Sequence, residues 1–225
     1  MSILNLTDLR EDNQAKEFCN AFINSNDRPK YIFGRNVYAE SIASYVNVNG
    51  FIDDFTLDRE YLGKPVYKTE YIPKNALVVS VVVLGRPLTA KKRLDEARIE
   101  HLDYFSFYRY SGLKLKPVTS WKDFAIDFEI NRNKYEMIFN LLADEESKTT
   151  FTALINFRLS GNLSHMQGFM DRQDKQYFED FLNLSPNDEV FVDVGGFDGC
   201  STLEFIKHCP GYKSVHFFEP EESNM

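Results

Sequence analysis

Two acidic residues and three glycines near the end of the chain form a pattern that could bind a small organic ligand. In the stretch FVDVGGFDG, a run of β-forming residues reaches Asp193 and then breaks. Three glycines follow, at Gly195, Gly196 and Gly199. A second β-rich stretch, SVHFFEP, ends its apolar run at Glu219. A glycine turn between a strand and a helix lets a ligand approach the backbone closely, because no Cβ blocks the way and a positive φ costs little.

The order of the glycines and the position of the first acid indicate which ligand would fit. A dinucleotide site has the spacing G-x-G-x-x-G and holds a pyrophosphate at the helix N-terminus. Here the spacing is G-G-x-x-G, and Asp193 precedes it. This carboxylate would repel a phosphate but attract the ammonium group of an amino acid. A nicotinamide dehydrogenase is therefore the weaker interpretation of the turn.

Glu219 indicates the second part of the ligand. An acid at the end of the second strand of a βαβ unit is placed to accept hydrogen bonds from the ribose hydroxyls of a nucleoside. A ligand with both an amino-acid end and a ribose fits the two acids together, and S-adenosylmethionine is such a ligand. We therefore predict S-adenosylmethionine as the cofactor. The predicted cofactor-binding residues are Asp193, Gly195, Gly196, Gly199 and Glu219.

The other polar residues around this turn receive no catalytic role. Asp198 is open to two interpretations, a ligand contact or a cap of the following helix. Ser201 and Thr202 are predicted to start that helix rather than to contact the ligand. No catalytic base is assigned, because His208 and His216 are interpreted as surface or packed side chains. No metal site is predicted, since the cysteines and histidines of this region lack the paired spacing of metal ligands.

One strand, one helix and a second strand must hold the motif in place. We predict a buried strand over residues 190 to 194, a helix over STLEFIKHC and a second strand over SVHFF, all within residues 184 to 225. The predicted buried positions of the helix are Leu203, Phe205 and Ile206. Two strands and one helix cannot cover both faces of a buried sheet. We therefore expect the chain to end within an incomplete fold, to bind S-adenosylmethionine weakly and not to turn over.

The preceding residues predict a second, separate region of α/β structure. After an N-terminal helix within residues 1 to 28, with Thr7 as its cap, the stretches KYIFG, NGFIDD and ALVVSVVV predict three strands, and VYAESIASYV predicts a helix between the first two. This order favours parallel pairing in a Rossmann-like domain at 29 to 86. Residues 87 to 183 are predicted to be helical, with helices at 89–108, 121–142, 147–159 and 174–182. Ser120 is the predicted cap of the second and Gly161 the end of the third.

The turn after the first predicted strand has lost most of its glycines. Only Gly34 remains, followed by Arg35 and Asn36. The stretch YIFGRNVYAESIA, with GFIDD and GKPVY, resembles the Rossmann-like N-terminal domain of some bacterial sugar-modifying enzymes, such as sugar-nucleotide acyltransferases. This resemblance implies Arg35 near a phosphate and Asp53 or Asp54 near a sugar. The alternative is a structural domain that kept the fold without the ligand, and the missing glycines favour that alternative.

Composition and charge restrict the class of protein. The chain has 225 residues, of which 43% are hydrophobic and 27% charged, which is typical of a globular protein. A net charge of −8 offers no general attraction to nucleic acid or to an anionic membrane, so we expect neither as a partner. The expected partner is a small-molecule or glycan substrate, and a homo-oligomer is left open. Three cysteines without CxxC spacing favour a reducing compartment, and we predict a cytoplasmic protein.

The two parts of the motif together resemble one family. FVDVGGFDG with a threonine and a helix behind it, followed by HFFEPEESN, resembles the FkbM family of S-adenosylmethionine-dependent methyltransferases, whose members carry a D-x-G-x-x-x-G turn and an F-E-P after the second strand. Upstream, LLADEESKTTFTALINFRLSG and QYF are similar to the segment that leads into this domain in bacterial members. The resemblance covers about residues 120 to 225.

The resemblance implies both a fold and an activity. The implied activity is methylation of a hydroxyl oxygen on a sugar, glycan or related small molecule. The expected fold class is α/β, with a small Rossmann-like N-terminal domain, a helical middle segment and the start of a doubly wound class I methyltransferase fold. The alternative function is a sugar-nucleotide-binding or interaction module that uses the N-terminal domain.

Overall fold

A computed structural model describes residues 12–84, 86–121, 123–169, 176–221 and 224. The chain divides into two compact units, Met1–Phe169 and Met170–Met225, called unit 1 and unit 2 below. The finer, four-part division drawn from the sequence stays a prediction. Across the described ranges, every helix is too short or too polar to span a lipid bilayer.

The described residues of unit 1 are built on a six-stranded, mainly parallel sheet. Its strands are β1 (Lys30–Phe33), β2 (Gly50–Ile52), β3 (Glu60–Tyr61), β4 (Lys64–Tyr67), β5 (Leu77–Ser80) and β6 (Glu100–Asp103). They lie in the order β3-β4-β2-β1-β5-β6; β3 is antiparallel to β4, and the other described pairs are parallel. All residues of β1, β2 and β5 are buried, because a parallel sheet is covered on both faces. The predicted α/β class and the parallel pairing are confirmed.

In the described part of unit 1, six α-helices accompany this sheet. They are α1 (Asn13–Asn24), α2 (Val37–Ala43), α3 (Pro87–Glu96), α4 (Tyr104–Tyr110), α5 (Phe124–Leu141) and α6 (Glu145–Ser160). In α1 the apolar residues Phe18 and Phe22 join the core, while the side chain of Asp12 accepts a hydrogen bond from the Ala15 N–H as the N-cap. The predicted start of this helix and its predicted cap Thr7 lie outside the described residues.

The helix predicted over residues 89 to 108 is wrong, because a strand interrupts it. After α3 ends, Arg98 adopts a left-handed φ of 53°, and the chain then enters β6. Leu77 to Ser80 of β5 pair with Glu100 to Asp103 of β6 in parallel register. The segment EHLD has no β-branched residue, so its strand conformation comes from tertiary pairing that overrides the local propensity.

Helices α5 and α6 agree with the helical prediction, but their predicted caps were only partly correct. Asp123, with φ 62°, occupies the N-cap position of α5, so the prediction of Ser120 is wrong. Gly161 ends α6 with φ 76°, and its N–H donates to the Phe157 carbonyl at 2.8 Å, which confirms the predicted C-terminus. Left-handed φ at this position suits glycine, which has no Cβ penalty there.

The described residues of unit 2 form a βαβ arrangement. It consists of β7 (Val190–Val194), α7 (Cys200–His208) and β8 (Ser214–Phe218). β7 and β8 pair in parallel over their whole length, from Val190 opposite Ser214 to Val194 opposite Phe218. The predicted βαβ unit is therefore confirmed. The helix predicted at 174–182 is not found where the chain is described: residues 176–179 are non-helical and Asp180–Leu182 form a short 3₁₀ turn, while residues 174 and 175 lie outside the described residues.

Burial in unit 2 differs between the two faces of its sheet. Helix α7 covers one face, where Phe205 is buried and stacks on Phe191 with ring centroids 4.5 Å apart. On the other face Val192 is 54% and Val194 78% exposed, so the prediction of a fully buried strand is wrong. Leu203, predicted to be buried, is also exposed. Successive strand residues point to opposite faces, and α7 covers only one of them.

Candidate functional site

The glycine turn connects the end of β7 to the start of α7 and is tied to β8. Gly195 has φ 75° and Gly199 has φ 78°, conformations that favour glycine. The N–H groups of Gly195 and Gly196 both donate to the carbonyl of Phe218, at 2.7 and 3.2 Å. Gly199 donates to the Gly196 carbonyl at 2.8 Å. The turn is therefore closed on itself and fixed against the carboxyl end of β8.

The two adjacent glycines are required for different reasons. A Cβ on Gly196 would lie 2.2 Å from Cε2 of Phe217, so this position has no room for a side chain. A Cβ on Gly195 would meet no atom within 4 Å. Gly195 therefore leaves open space beside the backbone, where a ligand can approach. The preference for glycine at this position comes from the positive φ alone.

Asp193 lies at the carboxyl end of β7 and is nearly buried, with 8% of its surface exposed. The Thr202 hydroxyl, in the first turn of α7, donates a hydrogen bond to Oδ2 of Asp193 at 2.7 Å. Burying a carboxylate requires such partners, because an unpaired buried charge is costly. The sequence interpretation treated Thr202 only as a helix-start residue and missed this contact. The nine-residue separation across a glycine turn was the signal that could have suggested it.

Glu219 follows β8 and reaches back to the glycine turn. Its Oε2 accepts a hydrogen bond from the Phe197 N–H at 2.8 Å, and its Oε1 accepts from the Glu221 N–H at 2.9 Å and the Asn224 side chain at 3.3 Å. The N–H groups of Glu221 and Phe197 lower the pKa of Glu219. Because these bonds favour the charged form, the carboxylate is held ionised beside the turn.

Parallel pairing brings the predicted site residues to one edge of the small sheet. Asp193 of β7 lies opposite Phe217 of β8, and Glu219 comes directly after Phe218, the last residue of β8. The carboxyl ends of parallel strands meet at one edge, where ligands of α/β proteins bind. The structure thus places both acids and all three glycines around one turn, although their role in binding a cofactor stays a prediction.

The contacts of Asp198 favour a structural role in the turn over a ligand contact, and Gly199 rather than Asp198 occupies the N-cap position of α7. Its Oδ1 accepts a hydrogen bond from the Cys200 N–H at 3.1 Å, and its Oδ2 accepts one from the Cys200 thiol at 3.2 Å. The same N–H and thiol lower the pKa of Asp198. Its carboxylate is thus engaged at the start of α7, as is common for a turn aspartate.

The histidines of unit 2 make ordinary surface and packing contacts. His208 stacks on Phe178 with ring centroids 5.3 Å apart, and its Nε2 lies 3.5 Å from Glu204. The His216 ring approaches the Ser214 hydroxyl at 3.3 Å. Within the described part of the chain, no group of three or more histidine, cysteine, aspartate or glutamate side chains is arranged to hold a metal ion.

In unit 1, the charged side chains at the carboxyl edge of the sheet pair with each other. Arg35, which follows β1, donates to Asp53 and to Asp58, both at 2.8 Å. Asp54 accepts from the backbone and hydroxyl of Thr69 and forms an ion pair with Arg93. A guanidinium held between two carboxylates offers little positive charge to a phosphate.

The fold and this turn define a class of α/β protein in which parallel strands present a glycine turn and two acids at their carboxyl ends. Among solved structures, the chain is similar to a crystal structure of methyltransferase FkbM from Methylobacillus flagellatus KT, with a TM-score of 0.66 and 20% sequence identity. The similarity covers 95% of this chain and 60% of that one, so the chain spans less than two thirds of the length of its neighbour. This similarity shows the fold.

No protein-family model matches the chain. No curated protein matches it either.

Proposed function

We propose that the chain is a methyltransferase that binds S-adenosylmethionine at the glycine turn of unit 2. The observation that carries the proposal is the pair of acids at one sheet edge, with Asp193 buried before the turn and Glu219 hydrogen-bonded to its backbone. The similarity to a methyltransferase structure in fold supports it.

The residues of the turn fit the two polar ends of this cofactor. Asp193 would hold the ammonium group of its amino-acid end, because a buried carboxylate attracts a cation strongly. Glu219 would accept hydrogen bonds from the ribose, since an ionised carboxylate has about four acceptor positions and the described contacts use three. The open space at Gly195 would admit the part of the cofactor that joins its amino-acid end to its ribose.

When bound, S-adenosylmethionine would supply a methyl group on a sulfonium centre to an acceptor oxygen. The part of the protein in this step would be to orient the two molecules and to exclude water. We propose a hydroxyl of a sugar, glycan or related small molecule as the acceptor, on the resemblance of the sequence to the FkbM family. The activity and substrate of the whole protein rest on this proposal alone.

Binding of S-adenosylhomocysteine, measured by isothermal titration calorimetry, tests the cofactor site. We expect the parent chain to bind and the Glu219→Ala variant to lose about 10- to 100-fold in affinity, the range that one or two hydrogen bonds to a charged group supply. Glu219→Gln keeps one acceptor oxygen for the Phe197 N–H and should lose less. Absence of binding by the parent chain would refute the proposed site.

A matched control separates this effect from a general change of charge. Glu204 lies on α7 of the same unit, where its described charged partners are Lys207, at 2.7 Å, and His208, at 3.5 Å. Glu204→Ala removes the same charge and should leave the affinity unchanged. Equal losses in Glu204→Ala and Glu219→Ala would show that Glu219 has no specific role.

A further inference from the structure

The hydrogen bond between Thr202 and Asp193 connects the two elements that flank the glycine turn. Asp193 is the penultimate residue of β7, Thr202 lies in the first turn of α7, and the turn between them contains the glycines. The Thr202 hydroxyl donates to Oδ2 of Asp193 at 2.7 Å. This distance is typical of a well-formed hydrogen bond from a hydroxyl to an oxygen acceptor.

This contact leaves the second oxygen of the carboxylate for a ligand. Asp193 is only 8% exposed, so its carboxylate has little freedom to rotate toward solvent. With Oδ2 held by Thr202, Oδ1 is the oxygen without a described hydrogen bond. A threonine in a helix adopts two χ1 rotamers, and the bond to Asp193 selects one of them. The pair therefore fixes the orientation in which Asp193 presents its charge.

We propose that Thr202 is a positioning residue that aims Asp193 at the amino-acid end of the methyl donor, and so selects adenosine compounds that carry an amino acid. This inference rests on the proposed S-adenosylmethionine site. Thr202 acts only through Asp193, so it contributes to binding of the ammonium group. It does not contribute to binding of the ribose, which the proposal assigns to Glu219. Loss of the hydroxyl should therefore weaken only those ligands that have the amino-acid end.

Two ligands distinguish this role from a general effect on folding. S-adenosylhomocysteine carries the amino-acid end, and 5′-methylthioadenosine has the same nucleoside without it. We expect the parent chain to bind both, with 5′-methylthioadenosine weaker. Thr202→Val keeps the shape of the side chain and removes the donor. We expect it to weaken S-adenosylhomocysteine about tenfold, the effect of one such hydrogen bond, and to change 5′-methylthioadenosine by less than about twofold.

Three further variants complete the calorimetric experiment. Thr202→Ser restores the hydroxyl and should recover most of the affinity for S-adenosylhomocysteine. Thr202→Cys has a weaker donor and should lie between the parent and Thr202→Val, which keeps the test available if the valine variant does not fold. Ser201→Ala removes the neighbouring hydroxyl, which makes no described bond to Asp193, and should match the parent.

The possible outcomes separate the two proposals. If the parent chain binds neither ligand, the proposed cofactor site itself is wrong. If the parent binds S-adenosylhomocysteine and Thr202→Val binds it equally well, the positioning role is wrong while the site stands. Equal losses for both ligands in Thr202→Val and Thr202→Cys would likewise overturn the positioning role, because a contact made through Asp193 cannot act on the nucleoside.

Discussion

Replacing Gly196 by alanine would place a Cβ 2.2 Å from Cε2 and 2.7 Å from Cδ2 of Phe217. Gly196 has no positive φ, so the backbone itself would accept alanine, and the cost comes from the clash alone. Ordinary van der Waals contact begins at 3.4 Å, so the ring or the turn must move by about 1.2 Å. We expect Gly196→Ala to destabilise unit 2 by about 1 to 3 kcal/mol, the usual cost of overpacking.

The ring of Phe217 makes the magnitude testable by a double-mutant cycle. The three atoms nearest to the added Cβ all belong to Phe217. In a Phe217→Ala background the clash disappears, and Gly196→Ala should cost less than about 0.5 kcal/mol. The coupling energy between Gly196→Ala and Phe217→Ala should therefore be about 1 to 3 kcal/mol, because removing the Phe217 ring removes the clash that Gly196→Ala creates. Because Phe217 is 38% exposed and can shift in part toward solvent, the lower half of this range is favoured.

Hydrogen exchange of the amides in β7 and β8 measures the free energy of opening of unit 2. The single tryptophan, Trp121, lies in unit 1 and would report on the wrong unit. Gly195→Ala is the matched control: its Cβ meets no atom within 4 Å but its φ is 75°, so it should cost about 1 to 2 kcal/mol in both backgrounds. An equal cost of Gly196→Ala with and without the Phe217 ring would refute the steric explanation.

Four further predictions follow from single contacts. Arg35→Ala should leave the affinity for a sugar nucleotide unchanged in calorimetry, because Arg35 is paired with two carboxylates; a clear loss would show a phosphate role. The pKa of Glu219 is lowered in the folded protein from its ordinary value of 4.5. The hydrogen bonds of the Glu219 carboxylate should therefore be complete above pH 4.5 and be lost as the pH falls through the lowered pKa. An NMR titration midpoint above 4.5 for Glu219 would contradict this. Asn36→Ala removes the N-cap of α2 and a hydrogen bond to the Val81 carbonyl, which directly follows β5. Urea unfolding followed by tryptophan fluorescence should show a free energy of unfolding lower by about 1 to 2 kcal/mol. The Cys200 thiol is exposed, while the thiols of Cys19 and Cys209 are buried, so one thiol should react quickly with Ellman's reagent at pH 8. Asp198→Asn should accelerate this reaction, because Asp198 raises the pKa of Cys200. Several fast-reacting thiols would be inconsistent with the fold.

Much of the fold was predictable because strong local patterns agree with the tertiary structure. The run ALVVSVVV contains β5 (Leu77–Ser80), all of whose residues are buried, since β-branched residues suit a strand that is covered on both faces. The turn after Asp193 and the strand before Glu219 were also predicted, because three glycines and an apolar run leave few alternatives. In unit 1, Gly161 ends α6 as its position predicted.

The wrong predictions occur where local preference and tertiary contacts disagree. The segment from Arg98 to Asp103 continues the helical spacing of α3, yet β5 offers it a row of backbone partners and it becomes β6. Val192 and Val194 have the composition of a buried strand, but their burial depends on whether another layer covers that face. Neither result could be read from the residues themselves, because pairing and coverage are supplied by distant parts of the chain.

The sequence by itself determined the chemistry of the candidate site, and the tertiary structure decided how its parts contact each other. Residue types and spacing selected Asp193, the three glycines and Glu219, because charge and missing side chains are properties of single residues. Only the packed structure shows that Phe217 excludes a side chain at Gly196 and that Thr202 holds Asp193. Contacts between side chains far apart in the chain depend on how β7, α7 and β8 pack together, and that packing is a property of the whole unit.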